Sequence, residues 1–411
     1  MGGICPSRWN SSPSTIWWKG SCGCEDLTMS SLIKPGELFP FCCKRPSLLF
    51  TKLHKRMGYF FDDGFACPES FAVYHKSWGI RMKVSEIGEF GLIERLRQHL
   101  QEPDPRVVVG MGDDVAVLEG PGEMLLLATC DIQVEGVHFL PRLITPYQLG
   151  RKALAINLSD IAAMGGIPDF ALISLAFPSD TEVKFMDELY RGLKDEADEA
   201  GAKIVGGNMA RLPERLAIDV FLLGRVERGK ALLRSGARPG DLIVVTGHLG
   251  DSAAGLSLLL KEVREDRFAP LYKAHLTPKA RLREGRILAL KGLATAAIDV
   301  SDGLAQDLGH ICDESKVGVR IWAERIPLSP QAREAAALLG ENPLKWALAG
   351  GEDYQLLFTT PPKRADDISE ALSPTKVSII GEVVGQSQGR VIIFPDGTER
   401  ELKPEGWDHF G

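Results

Sequence analysis

Two α/β domains are what this 411-residue sequence predicts, and three observations carry the prediction. A chain of this length divides into two domains or a little more. From Met82 onward, short apolar runs of strand character alternate with segments of helical period. Those apolar segments repeatedly end in acid, which gives the two halves a common purpose.

The organising stretch is Val107 to Phe139. Val107–Val109 and Leu125–Ala128 read as buried strands, the first ending in Gly110-Met111-Gly112-Asp113-Asp114 and the second in Thr129-Cys130-Asp131. Asp160, the Asp299/Asp302 pair and the Glu352-Asp353 pair stand at three further edges, making five acidic edges in all. A Gly-Asp pair is an ordinary turn element. Five acidic edges argue for a shared site, because carboxylates crowded at strand ends need a cation or a proton to neutralise them. Oxygen-only ligands of this kind suit Mg2+, which binds a few carboxylates together with phosphate oxygens.

Composition narrows the function classes. An apolar content of 44% suffices for a core, and a net charge of −7 lacks the basic footprint of a nonspecific nucleic-acid binder. No apolar run approaches the length of a membrane span. Cys5, Cys22, Cys24, Cys42, Cys43 and Cys67 fall in the first 81 residues, leaving Cys130 and Cys312 for the rest, so the body reads as a reduced, cytoplasmic protein. Residues 1–81 show no sustained period, no secretion-signal pattern and no zinc-knuckle spacing. They read as a non-native or disordered extension ahead of a natural start at Met82, and a chain beginning there is expected to fold and act.

The body then divides into elements. Met82 opens a helix with Leu92, Ile93, Leu96 and Leu100 as its apolar positions. A helix over Tyr147–Met164 puts Leu154, Leu158 and Ile161 on one face and Asn157 with Asp160 on another, either completing a metal cage or forming a solvated face. Phe170–Phe177 reads as a strand, Thr181–Glu199 as a charged helix carrying Tyr190, and Lys203–Val205 as a short strand ending in a Gly206-Gly207-Asn208 loop. After strand Leu216–Leu223, the turn-rich run Arg234–Asp241 marks the domain boundary, giving domains 82–235 and 236–411. Strand Leu242–Val245 leads through Thr246-Gly247-His248-Leu249-Gly250-Asp251-Ser252 into a helix whose N-terminus either binds phosphate or is a plain helix start; without a P-loop lysine it is no Walker A motif. Strand Leu293–Val300 precedes a helix with Leu304, Leu308 and Ile311 on one face. Strand Gln355–Thr359 follows the Gly350-Gly351 turn, and short strands with a Pro395-Asp396-Gly397 turn close the chain. Trp407 is either a plug on the core or a stacking surface for a ring.

With these residues in view, the chain from Met82 onward resembles the thiamine-monophosphate kinases, of the superfamily that includes aminoimidazole ribonucleotide synthetase and selenophosphate synthetase. GMGDDVAVL, DIQVEGVHF, NLSDIAAMGG, the Gly206-Gly207 loop, LLRSGARPGD, TGHLGDSAAGL, DVSDGL, GGEDYQLLF and WDHF occur in the family's order. The resemblance implies a two-domain PurM-like α/β fold, with an N-terminal domain that contributes to a β-barrel in a homodimer and a C-terminal α/β sandwich. It implies ATP-dependent phosphorylation of thiamine monophosphate to thiamine diphosphate with several Mg2+ ions. Asp114, Thr129, Cys130, Asp131, Asp160, Asn208, Asp299 and Asp302 would then be metal ligands. Tyr190, Gly207, Asn208, Arg234 and Ser301 would touch ATP, while His138, Glu352 and Trp407 would contact thiamine monophosphate. Asp131, Asp160 and Arg234 would carry the catalysis. For His138 the bland alternative is a histidine bonded to backbone.

Two residues depart from the family pattern. Asn208 stands where an aspartate is usual, and Cys130 where a hydroxyl is usual; a thiol is a soft ligand, poorly matched to Mg2+. No hydrolytic triad or phosphoenzyme nucleophile is evident, so the expected chemistry is direct in-line transfer between two phosphates whose repulsion must be screened. The alternatives are another ATP-dependent enzyme of the superfamily and an ATP-binding relative weakened in catalysis.

Overall fold

A computed structural model describes residues 83–100, 104–404 and 406. The readings of residues 1–81 and of Trp407 therefore lie outside the described residues.

The first sheet is six-stranded. Its strands are β1 (Val107–Val109), β2 (Ala116–Glu119), β3 (Met124–Val134), β4 (Ile167–Phe177), β5 (Lys203–Arg211) and β6 (Ala217–Glu227), in the order β1-β2-β3-β6-β4-β5. All neighbours are antiparallel except β4 and β5, which run parallel. Period-two alternation decides what each strand buries. Along β3, Leu125, Leu127 and Thr129 point inward; along β6, Ile218, Val220 and Leu222 do.

Helices α2 (Pro146–Ala163) and α3 (Val183–Ala200) pack together, and α2 lies against β3 and β6. Thr145 caps α2 in a reciprocal box with Gln148, and Pro146 occupies the first turn, where its missing N–H costs nothing. The two helices touch backbone to backbone. A Cβ on Gly150 would lie 2.1 Å from the Leu189 carbonyl oxygen, and one on Gly192 would lie 2.0 Å from that of Tyr147. Helix α2 is buried on nearly every side, its polar Lys152, Asn157 and Ser159 included. Asn157 and Asp160 therefore sit in no solvated face: Asn157 is fully buried, and Asp160 reaches inward to Thr129.

The second sheet holds β7 (Leu242–Thr246), β8 (Ala296–Asp299), β9 (Val317–Trp322), β10 (Leu356–Thr360), β11 (Val377–Gly385), β12 (Arg390–Ile393) and β13 (Glu399–Glu401), ordered β13-β12-β9-β11-β7-β10-β8. Its helices include α4 (Asp251–Leu260), α5 (Ala269–Leu276), α6 (Leu282–Lys291) and α7 (Leu304–Ser315). One apolar cluster joins the sheet to α7 through Leu304, Leu308 and Ile311, all buried. Another joins it to α6 through Leu288 and Ala289, and also takes in Ala162 and Ala163 of α2. A Cβ on Gly285 would meet the Ala162 carbonyl oxygen at 2.0 Å, so α2 closes tightly on α6. Helix α2 thus serves both halves, which makes the fold a pair of α/β units sharing one central helix.

Three expectations need correction. Val107–Val109 is a strand, but its first two valines are 44% and 46% exposed, and only Val109 packs against the core, because the strand is short and at the sheet edge. The Gly206-Gly207-Asn208 segment is not a loop; β5 runs straight through it, held by parallel pairing to β4. The first helix, α1 (Gly88–Arg97), buries no residue, and its Ile93 and Leu96 are exposed.

Candidate active site

The acidic edges converge where α2 meets both sheets. On the β3 side, the Thr129 hydroxyl donates to Asp160 at 2.6 Å, and the Asp131 backbone N–H donates to Asn157 Oδ1 at 3.0 Å. On the β8 side, the Ser159 hydroxyl donates to Asp299 at 2.5 Å. Adjacent residues of one helix therefore face opposite halves of the protein, Asp160 bonded to Thr129 of β3 and Ser159 to Asp299 of β8. From the β1–β2 turn, Asp114 receives both Nε (3.0 Å) and Nη2 (2.5 Å) of Arg234 on its Oδ1 oxygen, and Asp113 accepts the Arg234 backbone N–H at 3.1 Å.

The electrostatics confirm that these acids share a space. Burial, then the charges of Asp219 and Asp114, push Asp131 up to about 6. Burial and Asp114 push Asp299 up to about 8. Asp160 is raised well above its ordinary range by burial and by Asp131, Asp299 and Asp114. Burial and the neighbouring Asp114 take Asp113 to about 7. Arg234 is the one cation paired to this cluster by a described hydrogen bond. Burial works against its charge, but Asp114 more than offsets that and holds it above its ordinary value.

Such a cluster fits a divalent cation. Asp114 Oδ2 is buried with no hydrogen-bond partner among the described residues, and the donor set is oxygen throughout. No three acid, thiol or imidazole groups among the described residues converge closely enough to chelate an ion alone. Mg2+ suits that arrangement, because it keeps several waters and completes its shell with phosphate oxygens.

The other expected residues fall in different places. Glu352 stands at the edge of this region on a turn with left-handed backbone, φ 56°. Its backbone N–H donates to the Ser301 carbonyl at 2.7 Å, which ties that turn to the Ser301-Asp302 edge. Its carboxylate meets Lys152 Nζ at 2.6 Å and His275 Nδ1 at 3.2 Å. Burial opposes the charge, but Lys152 and His275 overcome it and hold Glu352 down to about 2. His138 Nδ1 accepts the Val134 backbone N–H at 3.0 Å, the bland alternative for that nitrogen. Tyr190 is half-buried on α3 and lines a cleft of about 670 Å³ with Arg191, Lys194 and Lys203. Trp407 lies outside the described residues. The chain just before it arrives at the acids, since a Cβ on Gly406 would meet the Asp302 carbonyl oxygen at 2.9 Å.

Three further parts of the expected site are placed as follows. Alternation on β3 turns the Cys130 side chain to the face opposite Thr129 and Asp131, where it is exposed. Asn208 is in register with Ser174, Ser174 with Asp219, and Asp219 with Ile132, so Asn208 also occupies that outer face. With Gly207 it sits three strands from β3, roughly 14 Å at ordinary strand spacing. Both side chains thus lie on the face opposite Thr129 and Asp131, although the Cys130 thiol still feels the charges of Asp219 and Asp131. Third, the N-terminus of α4 does not await a phosphate: Asp353 accepts the N–H groups of Gly250 (2.6 Å) and Ser252 (3.2 Å).

Sequence reasoning missed Lys152, His275 and Asp307. Buried Asp307 accepts the N–H groups of Asp302 and Gly303, at 3.2 and 3.0 Å, and so shapes that turn. Its signal was available: an acid inside the Leu304-Leu308-Ile311 stripe. Lys152 carried a similar signal, lying among Leu149, Ala153 and Leu154. His275 carried none.

Comparison with known proteins gives a consistent picture. Residues 112–226 match the family described as AIR synthase related protein, N-terminal domain, and residues 238–394 match its C-terminal domain. A thiamine-monophosphate kinase of Aquifex aeolicus is 40% identical over 331 residues, covering 80% of this chain and 100% of that protein. The Escherichia coli (strain K12) thiamine-monophosphate kinase is 40% identical over 328 residues, 79% of this chain and 98% of its own. A solved structure described as AaThiL complexed with AMPPCP and TMP superposes with a TM-score of 0.70 at 39% identity, covering 80% of this chain and all of that one.

Proposed function

Since the chain belongs to the thiamine-monophosphate kinase family, we infer that it transfers the γ-phosphoryl group of ATP to the phosphate of thiamine monophosphate, giving thiamine diphosphate and ADP. The observation that carries this reading is the set of four buried, mutually repelling carboxylates, Asp131, Asp160 and Asp299 bonded to or carried by one helix and Asp114 beside them, left short of positive charge. Asp302 and the backbone carbonyl of Cys130 complete the set of oxygen groups for Mg2+. When bound, Mg2+ neutralises the approaching phosphates and orients the transferred group.

The chain's own residues have defined tasks. Ser159, Thr129 and Asn157 fix the acids in place, so little reorganisation remains for the reaction itself. Arg234, anchored on Asp114, offers its remaining N–H donors to phosphate in the planar arrangement that a guanidinium supplies. Ser301 and Tyr190 serve ATP; His138, Glu352 and Trp407 serve the organic substrate. Two anions meeting at this site need no covalent relay, and transfer is direct and in line.

The division between the two halves falls at residue 235, inside the connector from β6 to β7. The outer face of the first sheet carries exposed Ile132, Phe170 and Leu172 with no element over it among the described residues; a second copy covers it, making a homodimer closed by a β-barrel. The protein works in the cytoplasm, in keeping with Cys130 and Cys312 as free thiols. The test is incubation with ATP, Mg2+ and thiamine monophosphate followed by chromatography. Equal amounts of thiamine diphosphate and ADP are expected, whereas ADP without thiamine diphosphate would overturn the reading.

A further inference from the structure

Among the described lysines and arginines, Lys152 alone is buried. Lys152 is 1% exposed, on a helix that is buried on nearly every side, yet its Nζ lies 2.6 Å from Glu352 Oε1. A buried lysine is costly to keep unless its partner is well placed. The partner is itself constrained. Glu352 adopts a left-handed backbone, and so does Tyr354, at φ 49°. A side-chain-bearing residue holds that conformation only where its surroundings over-determine it. Here they do so from several sides: Lys152 from α2, His275 from α5, and the Ser301 carbonyl from the end of β8. The same His275 nitrogen also lies 3.1 Å from the Ser252 hydroxyl at the start of α4.

We propose that Lys152 and His275 are positioning residues that clamp Glu352 as a pre-oriented anion for the cationic, amine-bearing end of thiamine monophosphate. This rests on Glu352 being the substrate contact named above. A carboxylate accepts about four hydrogen bonds. Lys152 and His275 take one on each oxygen, which leaves one lone pair on each for a ligand. A permanent anion there repels phosphate and attracts the thiazolium charge and the pyrimidine amine, so it sorts the substrate end for end. The clamp also spans the two halves of the protein, since Lys152 belongs to the helix that holds Asp160 and Asp299. Substrate orientation and the acid cluster thus share one rigid support.

Steady-state kinetics on the full chain test the clamp. Lys152→Met should raise KM for thiamine monophosphate about tenfold or more while KM for ATP stays within about twofold, the pattern of lost substrate binding rather than lost chemistry. Lys152→Arg, which keeps the cation, should recover most of the loss. His275→Asn should act in the same direction with a smaller effect. The decisive variant is Lys152→Met combined with Glu352→Gln. It removes both charges, so it also guards against misfolding of the single variant. If Lys152 acts through Glu352, the double variant is no worse than Glu352→Gln alone. A further multiplied rise in KM, or equal rises for both substrates in Lys152→Met, would overturn the clamp. Failure of the activity reading itself would show differently, as no thiamine diphosphate from the unsubstituted chain.

Discussion

Around Asp131 and around Glu352 the same chemical group, a buried carboxylate, is treated in opposite ways. Asp131, Asp160 and Asp299 act on one another together with Asp114, and of these four the Arg234 side chain bonds to Asp114 alone. Glu352 has a lysine and a histidine to itself. The first group is raised toward neutrality and the second is locked as an anion. The contrast separates two jobs. An acid whose charge the protein leaves unbalanced is prepared for a cation from outside. An acid that the protein itself pairs is held in one orientation, with its remaining lone pairs fixed as acceptors.

Replacing one member of each group sharpens the contrast. The largest effect is expected for Asp131→Ala, which should lower kcat by about three orders of magnitude or more at saturating Mg2+. Near-normal kcat would remove Asp131 from the metal set. Stability should move in opposite directions in the two regions. Lys152→Met strands a buried Glu352 beside His275 and should cost about 3 kcal/mol in denaturant unfolding. In chelator-treated protein, Asp160→Asn relieves like-charge crowding and should raise Tm, although it abolishes activity. A fall in Tm for both variants would break the comparison.

The pH dependence follows from the same signs. Asp131, Asp113 and Asp299 have folded values of about 6, 7 and 8 against an ordinary 3.8. Their folded forms favour the proton, so their contribution to stability is present below about pH 4 and is lost as pH rises through those values. Glu352, lowered from 4.5 to about 2, contributes above pH 4.5 and fails only as pH falls through about 2. Metal-free protein should therefore lose Tm between about pH 5 and 8.5, and Mg2+ should flatten that slope. A flat profile without metal would contradict the crowding. The smallest effect is expected at Asp353, whose removal as Asp353→Ala uncaps α4 and should cost about 1 kcal/mol with little change in KM.

The sequence-based reading of the fold went wrong where burial depends on what lies beside an element. Val107–Val109 looks buried because valine runs usually are, yet at the sheet edge Val107 and Val108 are exposed. The Gly206-Gly207-Asn208 segment looks like a loop because glycine pairs usually are, yet pairing to β4 makes it strand. In the site, Asp114, Asp131, Asp160 and Asp299 were legible because each ends an apolar run. Asn157 was legible as a neighbour of Asp160 by helical spacing. Lys152 was passed over although it lies among Leu149, Ala153 and Leu154, because a lysine beside an arginine ordinarily marks a solvated face. His275 was not legible, because its partner lies 77 positions further along the chain.

What the sequence determined by itself is the chemistry and the alternation of elements. Those depend on residue type and on spacing along the chain, and both are present in the string of letters. Tertiary structure alone decided which acids are compensated and which side of the first sheet each residue faces. It also decided that one helix, α2, holds both halves of the site. Charge balance and facing are set by neighbours distant in the chain, through register and packing, and no local pattern encodes them.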